Sequence, residues 1–182
     1  MQEPYEIAEE VAGLYRIVTL PVLRRTPGVS FDMVPVTAIV SIDAIDRLIH
    51  EKGAFSPGAV GSVERPWYMH PCQEDNLIVL HGYRDIEIYT KDHGKVERFM
   101  LSAEAVEKNG TVAHNGAAML VWPRWVFHRI ASSDKEGSVS INFARHYEGF
   151  DIRTNFNVYD LDTETGKYKV IRKGYLDQPD LK

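Results

Sequence analysis

The chain has 182 residues, a formal net charge of -5, 44% apolar residues and one cysteine. That length suits one domain, or one domain with arms, which can bury roughly 70% of its unfolded surface without a staple. The lone Cys72 excludes an internal disulfide framework, the acidic balance argues against nucleic acid, and no apolar run approaches the ~18 residues of a membrane span, so a soluble, cytoplasmic protein with no signal peptide is expected.

Most segments are short and read as strands. "GLYRIVTLPVL" (13–23) and "VPVTAIVSI" (34–42) are rich in β-branched residues and carry few charges. "DAIDRLIHEKG" (43–53) reads as a short helix. Asp43 is its cap, Ile45, Leu48 and Ile49 share one helical face, and Gly53 is its stop. "AFSPGAVGSVERP" (54–66) reads as a loop. In "NLIVLHGYRDIEIYT" (76–90) two extended runs meet at Gly82. The first is apolar on both faces; the second alternates, with Ile86 and Ile88 on one side. "KDHGKVERFML" (91–101) continues a hairpin, and "SAEAVEKNG" (102–110) is a helical turn capped by Ser102 or an extended connector. "GAAMLVWPRWVFHRIAS" (116–132) holds two strands broken at Pro123. "GSVSINFARHY", "DIRTNFNVYDL" and "KYKVIRKGY" alternate to the end, and Ser140, Asn142 and Ala144 share a small polar face. About nine or ten strands with turns at roughly 8–12 residue spacing are the pattern of an all-β sandwich or barrel, with one or two short helices.

One stretch concentrates chemistry. "WYMHPCQEDNLIVLHG" (67–82) places His70, Cys72, Glu74 and Asp75 just before an apolar strand. A second, "GAAMLVWPRWVFH", ends in His128 after a proline turn. Two imidazoles and one carboxylate suffice to hold divalent iron, manganese, nickel or zinc, with positions left open for substrate. His70, His128 and one of Glu74 or Asp75 make that set. A strand running straight through puts residues 70, 72 and 74 on one face; Pro71 argues against a regular strand here, and a turn between Cys72 and Glu74 resets the parity in favour of Asp75. Glu74 is the slight preference for its longer reach. Cys72 is an optional thiolate, and His81 borders a turn.

Together the two stretches resemble the two motifs of the cupin superfamily. Tyr68 and His70 hold the paired-histidine positions, Asp75 the carboxylate position and Gly82 the glycine, while Gly116, Pro123 and His128 match the second motif. The resemblance implies a double-stranded β-helix, or jelly-roll barrel, over residues 63–146. Residues 1–62 then add strands and a short helix, and residues 147–182 add strands at an expected dimer interface. It departs from the pattern at Tyr68, which stands where a histidine is usual, and at Trp125, which stands where a glycine follows the proline.

The resemblance implies a metal-binding protein acting on a small organic molecule, as an oxygenase, isomerase or lyase. The alternative is a non-catalytic sensor or storage protein using the same pocket. Tyr68 is the candidate catalytic group, and Tyr68, Arg124 and Trp125 are candidate substrate contacts. The apolar strands of the two termini need partners for their edges, so a homodimer is expected.

Overall fold

The computed structural model describes residues 5–179; the outermost residues of both flanks, 1–4 and 180–182, lie outside the described residues. In chain order the strands are β1 (Ile7–Val11), β2 (Tyr15–Thr19), β3 (Val22–Thr26), β4 (Val29–Asp32), β5 (Ala44–His50), β6 (Phe55–Ser56), β7 (Trp67–Met69) and β8 (Gln73–Tyr89). They continue as β9 (Glu97–Ser102), β10 (Ala105–Lys108), β11 (Thr111–Asn115), β12 (Ala118–Trp122), β13 (Phe127–Ser132), β14 (Ser138–His146), β15 (Val158–Asp162) and β16 (Lys167–Arg172). One four-residue helix, α1 (Ile152–Asn155), and two 3-10 turns interrupt them.

Two antiparallel sheets face each other. The first runs β1-β2-β12-β8-β14-β5. The second runs β11-β10-β9-β8-β13, extended from β13 by β6 and by β7, β15 and β16. Both terminal flanks thus contribute strands to these sheets.

β8 belongs to both sheets. Its first half pairs with β12 and β14, and its second half with β9 and β13. The crossing point is Gly82, at φ 66°, where an added Cβ would lie 2.1 Å from the carbonyl oxygen of Gly137. Just before it the ladder slips: Val139 lies opposite His81 but Ser140 opposite Val79, so Leu80 is an extra residue. The slip changes which residues point inward, from Gln73, Asp75, Leu77 and Val79 to Arg84, Ile86 and Ile88.

The inner core joins Ile17, Leu77, Val79, Ile86, Ile88, Phe99, Leu101 and Leu120. A second cluster puts Ile78, Val18, Met119 and Val121 under Leu20, Ala38 and Ile39. The segment around residues 34–39 therefore covers the outer face of the first sheet, which is why the first half of β8 is apolar on both sides.

The helix expected over 43–53 is a strand. β5 pairs with β14 through Ala44↔Ala144 to His50↔Ser138. Asp43 accepts from the backbone N–H of His146 (2.8 Å) and caps no helix. Leu48 turns to the core, while Ile45 and Ile49 point outward and stay exposed. "SAEAVEKNG" takes the extended option: Ser102 Oγ accepts from the N–H of Glu104 and Ala105, and β10 follows.

Candidate metal and substrate site

His70 follows β7, and its carbonyl accepts the N–H of Trp125 (2.9 Å), tying the two chemistry-bearing stretches together. The chain turns at Pro71–Cys72 before β8 begins. That turn resets the parity, so Asp75 faces the barrel interior and Glu74 faces away. His128 is the second residue of β13, opposite Tyr68 on β7 and Ile88 on β8.

His70, Asp75 and His128 are all buried, and one ligand atom from each lies within 4.8 Å of the others. The His70 Nδ1 sits 2.8 Å from the Asn155 carbonyl oxygen, and the His128 Nδ1 3.2 Å from that of Val126. A carbonyl only accepts, so each Nδ1 carries a proton, and in the neutral imidazole each Nε2 then keeps a free lone pair. Asp75 Oδ1 accepts from Gln73 Nε2 and Asn142 Nδ2, both at 2.7 Å. Its Oδ2 is buried without a partner, 3.7 Å from the His70 Nε2. Three acceptors therefore converge with no hydrogen-bond donor among them. Burial, reinforced by the neighbouring His70, pushes the His128 imidazole down to about 3, so it stays neutral, the form that ligates. The donor set and its orphaned oxygen fit a divalent cation.

These groups line a cavity of about 220 Å³. The Tyr68 ring lies 6.1 Å from that of His70 and 6.0 Å from that of His128. Burial, and more weakly the charge of Asp177, raises the Tyr68 pKa, so the phenol holds its proton at neutral pH. Trp122, its ring 5.2 Å from that of His128, has a buried Nε1 with no partner. Phe156 closes one side, edge-on to His70 at 4.8 Å.

No family model matches the chain, and no curated protein matches it in sequence. Solved structures do match. The sugar 3,4-ketoisomerase QdtA from Thermoanaerobacterium thermosaccharolyticum, in complex with TDP, superposes with a TM-score of 0.54 at 14% identity, covering 78% of this chain and 85% of that one. The dTDP-4-dehydrorhamnose 3,5-epimerase from Sulfolobus tokodaii gives 0.55 at 19% identity, covering 81% and 78%. A 3,4-ketoisomerase from Helicobacter canadensis gives 0.50 at 15% identity, covering 74% and 86%. The chain has the cupin jelly-roll fold.

Within this fold, Tyr68, His70, Asp75 and His128 all line the barrel cavity. Trp125, at the position of the motif's glycine, has φ 70°. The backbone keeps the left-handed turn although a side chain there costs about 1–2 kcal/mol.

Other expected site residues stand apart. The preference for Glu74 is corrected: it faces the other side of the first sheet, where Tyr147 donates to its Oε2 at 3.2 Å. Arg124 and Trp125, expected to contact substrate, are exposed and line a separate surface pocket with Gly13, Lys91 and His93. The Arg124 guanidinium lies over the Tyr147 ring at 4.6 Å. Cys72 is outside the ligand group, and His81 is exposed, 3.6 Å from Glu136.

Several site residues escaped the sequence reading. Asn155 of α1 orients His70 and also donates to Gln73 Oε1 (3.1 Å). Nothing in the motifs points to it. Arg84 lines the cavity and is fully buried. Its signal was available, because it shares the face of Ile86 and Ile88, where a charge is out of place.

Proposed function

We propose that this cupin is an enzyme that binds one divalent metal ion through His70, Asp75 and His128 and catalyses an isomerase-type proton shift on a small organic molecule. The observation that carries the reading is the buried, unpartnered Asp75 Oδ2 facing two imidazoles whose Nδ1 protons are already engaged. A divalent cation between them would satisfy all three acceptors at once. Bound there, a divalent ion would supply Lewis acidity toward a substrate oxygen.

The chain's own residues do the rest. Gln73 and Asn142 hold one oxygen of Asp75 and leave the other free. The carbonyls of Asn155 and Val126 fix both imidazole tautomers. Tyr68, protonated at neutral pH, is placed to give its proton to a substrate atom that gains charge. Trp122 Nε1 offers a second donor for a substrate oxygen. The similar structures are named as ketoisomerases and an epimerase, which supports isomerisation ahead of oxygenation or elimination.

Metal analysis of the purified protein tests the site. About one equivalent per chain is expected, lost in His128→Ala and Asp75→Asn and kept in Glu74→Gln. No metal under any loading condition sinks the metal reading. Turnover is tested by incubating the loaded protein with keto sugars and 2-hydroxy ketones in D2O and following deuterium at carbon by NMR, beside an oxygen electrode. Deuterium incorporation without oxygen uptake is the expected result. Bound metal with neither signal favours a non-catalytic binding protein.

A further inference from the structure

Arg84 is the largest fully buried side chain among the described residues. Its Nε donates to Ser138 Oγ at 3.1 Å, while Nη1 and Nη2 are buried with no partner. No carboxylate among the described residues pairs with it. Burial alone pushes it down to about 10, so it remains a cation at neutral pH. A buried, unpaired ion is costly, and proteins seldom keep one without a use.

Arg84 and the metal-ligand group line the same cavity. The register of β8 and β13 sets Ile88 opposite His128 and Ser132 opposite Arg84. The two sites are thus four strand residues apart, about 13 Å at roughly 3.3 Å per residue, less the reach of the arginine side chain. Beside Arg84, His50 also lines the cavity and has a buried Nδ1 without a partner. His50 is pushed down to about 4, first by burial and then by the Arg84 charge, and so remains neutral. On β14 the inward row runs from Ser138 at Arg84, through Ser140 with its buried, unpartnered Oγ, to Asn142 at Asp75.

We infer that the inner end of the cavity is a carboxylate-binding site, in which the free Nη1–Nη2 edge of Arg84 takes both oxygens of a small organic acid whose other end reaches His70, Asp75 and His128. A guanidinium edge matches a planar carboxylate through two parallel hydrogen bonds. The cavity is smaller than the roughly 300–1,000 Å³ of a drug-sized ligand site, which suits a compact acid. This deepens the proposed function by naming a substrate class, a short hydroxy or oxo acid, and rests on that reading only for the reacting end.

Thermal melts test it on metal-stripped and on zinc-loaded protein, with lactate, pyruvate and succinate against lactamide, succinamide and chloride at matched ionic strength. Saturable upward shifts of several degrees with the acids, and none with the amides, are expected. Arg84→Met removes the fork while keeping bulk. It is expected to melt no lower than the native protein, to keep its metal, and to lose the acid response by about tenfold or more in affinity. Should that variant not fold, Arg84→Lys keeps the charge without the fork, and an equal loss of succinate affinity is expected. Equal shifts with acids and amides, a stronger response to inorganic phosphate than to any carboxylate, or native succinate affinity in either variant overturns the inference. An acid response in a protein that never binds metal sinks the metal reading and leaves this one standing; bound metal with no acid response does the reverse.

Discussion

Tyr68 and His128 face the same cavity from paired strands, and burial acts on them in opposite directions. It raises the phenol and lowers the imidazole, so both are neutral at physiological pH. For Tyr68 this predicts that Tyr68→Phe keeps the metal but lowers kcat by about 10²–10⁴-fold, read by comparing turnover with metal content. For His128 it predicts an acid-sensitive fold. An unfolded histidine takes up a proton near pH 6.5, whereas the folded one does so only near 3. Between those values the unfolded chain binds more protons, so stability falls as pH falls, by up to about 1.4 kcal/mol per pH unit. Urea midpoints of metal-stripped protein from pH 7 to pH 4 should show that slope, and His128→Gln should flatten it. At this scale the sequence was most legible where residue type and spacing coincide, at His70 and His128. The choice between Glu74 and Asp75 depended on a backbone turn that side-chain reach does not reveal. Asn155 was illegible because it holds His70 through a main-chain carbonyl, which any residue would supply, and its side-chain bond to Gln73 joins positions far apart in the chain.

Single strands explain what pattern reading caught and missed. The alternation on either side of Gly82 was readable, but the two runs are one strand that passes between sheets. β5 misled because Ile45 and Ile49, four residues apart, mimic a helical face. In the fold they lie on the outer side of an edge strand while Leu48 points inward. Gly82 offers a sharp test of the corner. Gly82→Ala brings a methyl against the Gly137 carbonyl in a left-handed backbone, and a loss of about 3 kcal/mol or more is expected in chemical denaturation. A variant as stable as the native chain would mean that the corner can relax.

For the molecule as a whole, the fold class followed from strand count and turn spacing, because closure is the common way for many short strands to protect their edges. What the pattern did not show is how the flanks serve the cavity, with Phe156 lining it from the C-terminal side and Asn155 of α1 holding His70. The N-terminal hairpin of β3 and β4 joins neither main sheet, and every residue of both strands is exposed, Leu23 by 65%. Such a hairpin seeks a partner, and we propose that a second copy of the chain supplies it. Light scattering at micromolar concentration should give the mass of two chains, and of one chain when residues 22–32 are replaced by a short glycine-serine turn. A native protein that runs as one chain would end the dimer proposal. The single backbone of β8, threaded through both sheets, also bears on how the barrel comes apart. Neither sheet can let go while the other stays intact, since each would have to surrender half of the same strand. Amide protons on β12 and β14 should therefore exchange with solvent at the same opening free energy as those on β9 and β13, as one cooperative unit.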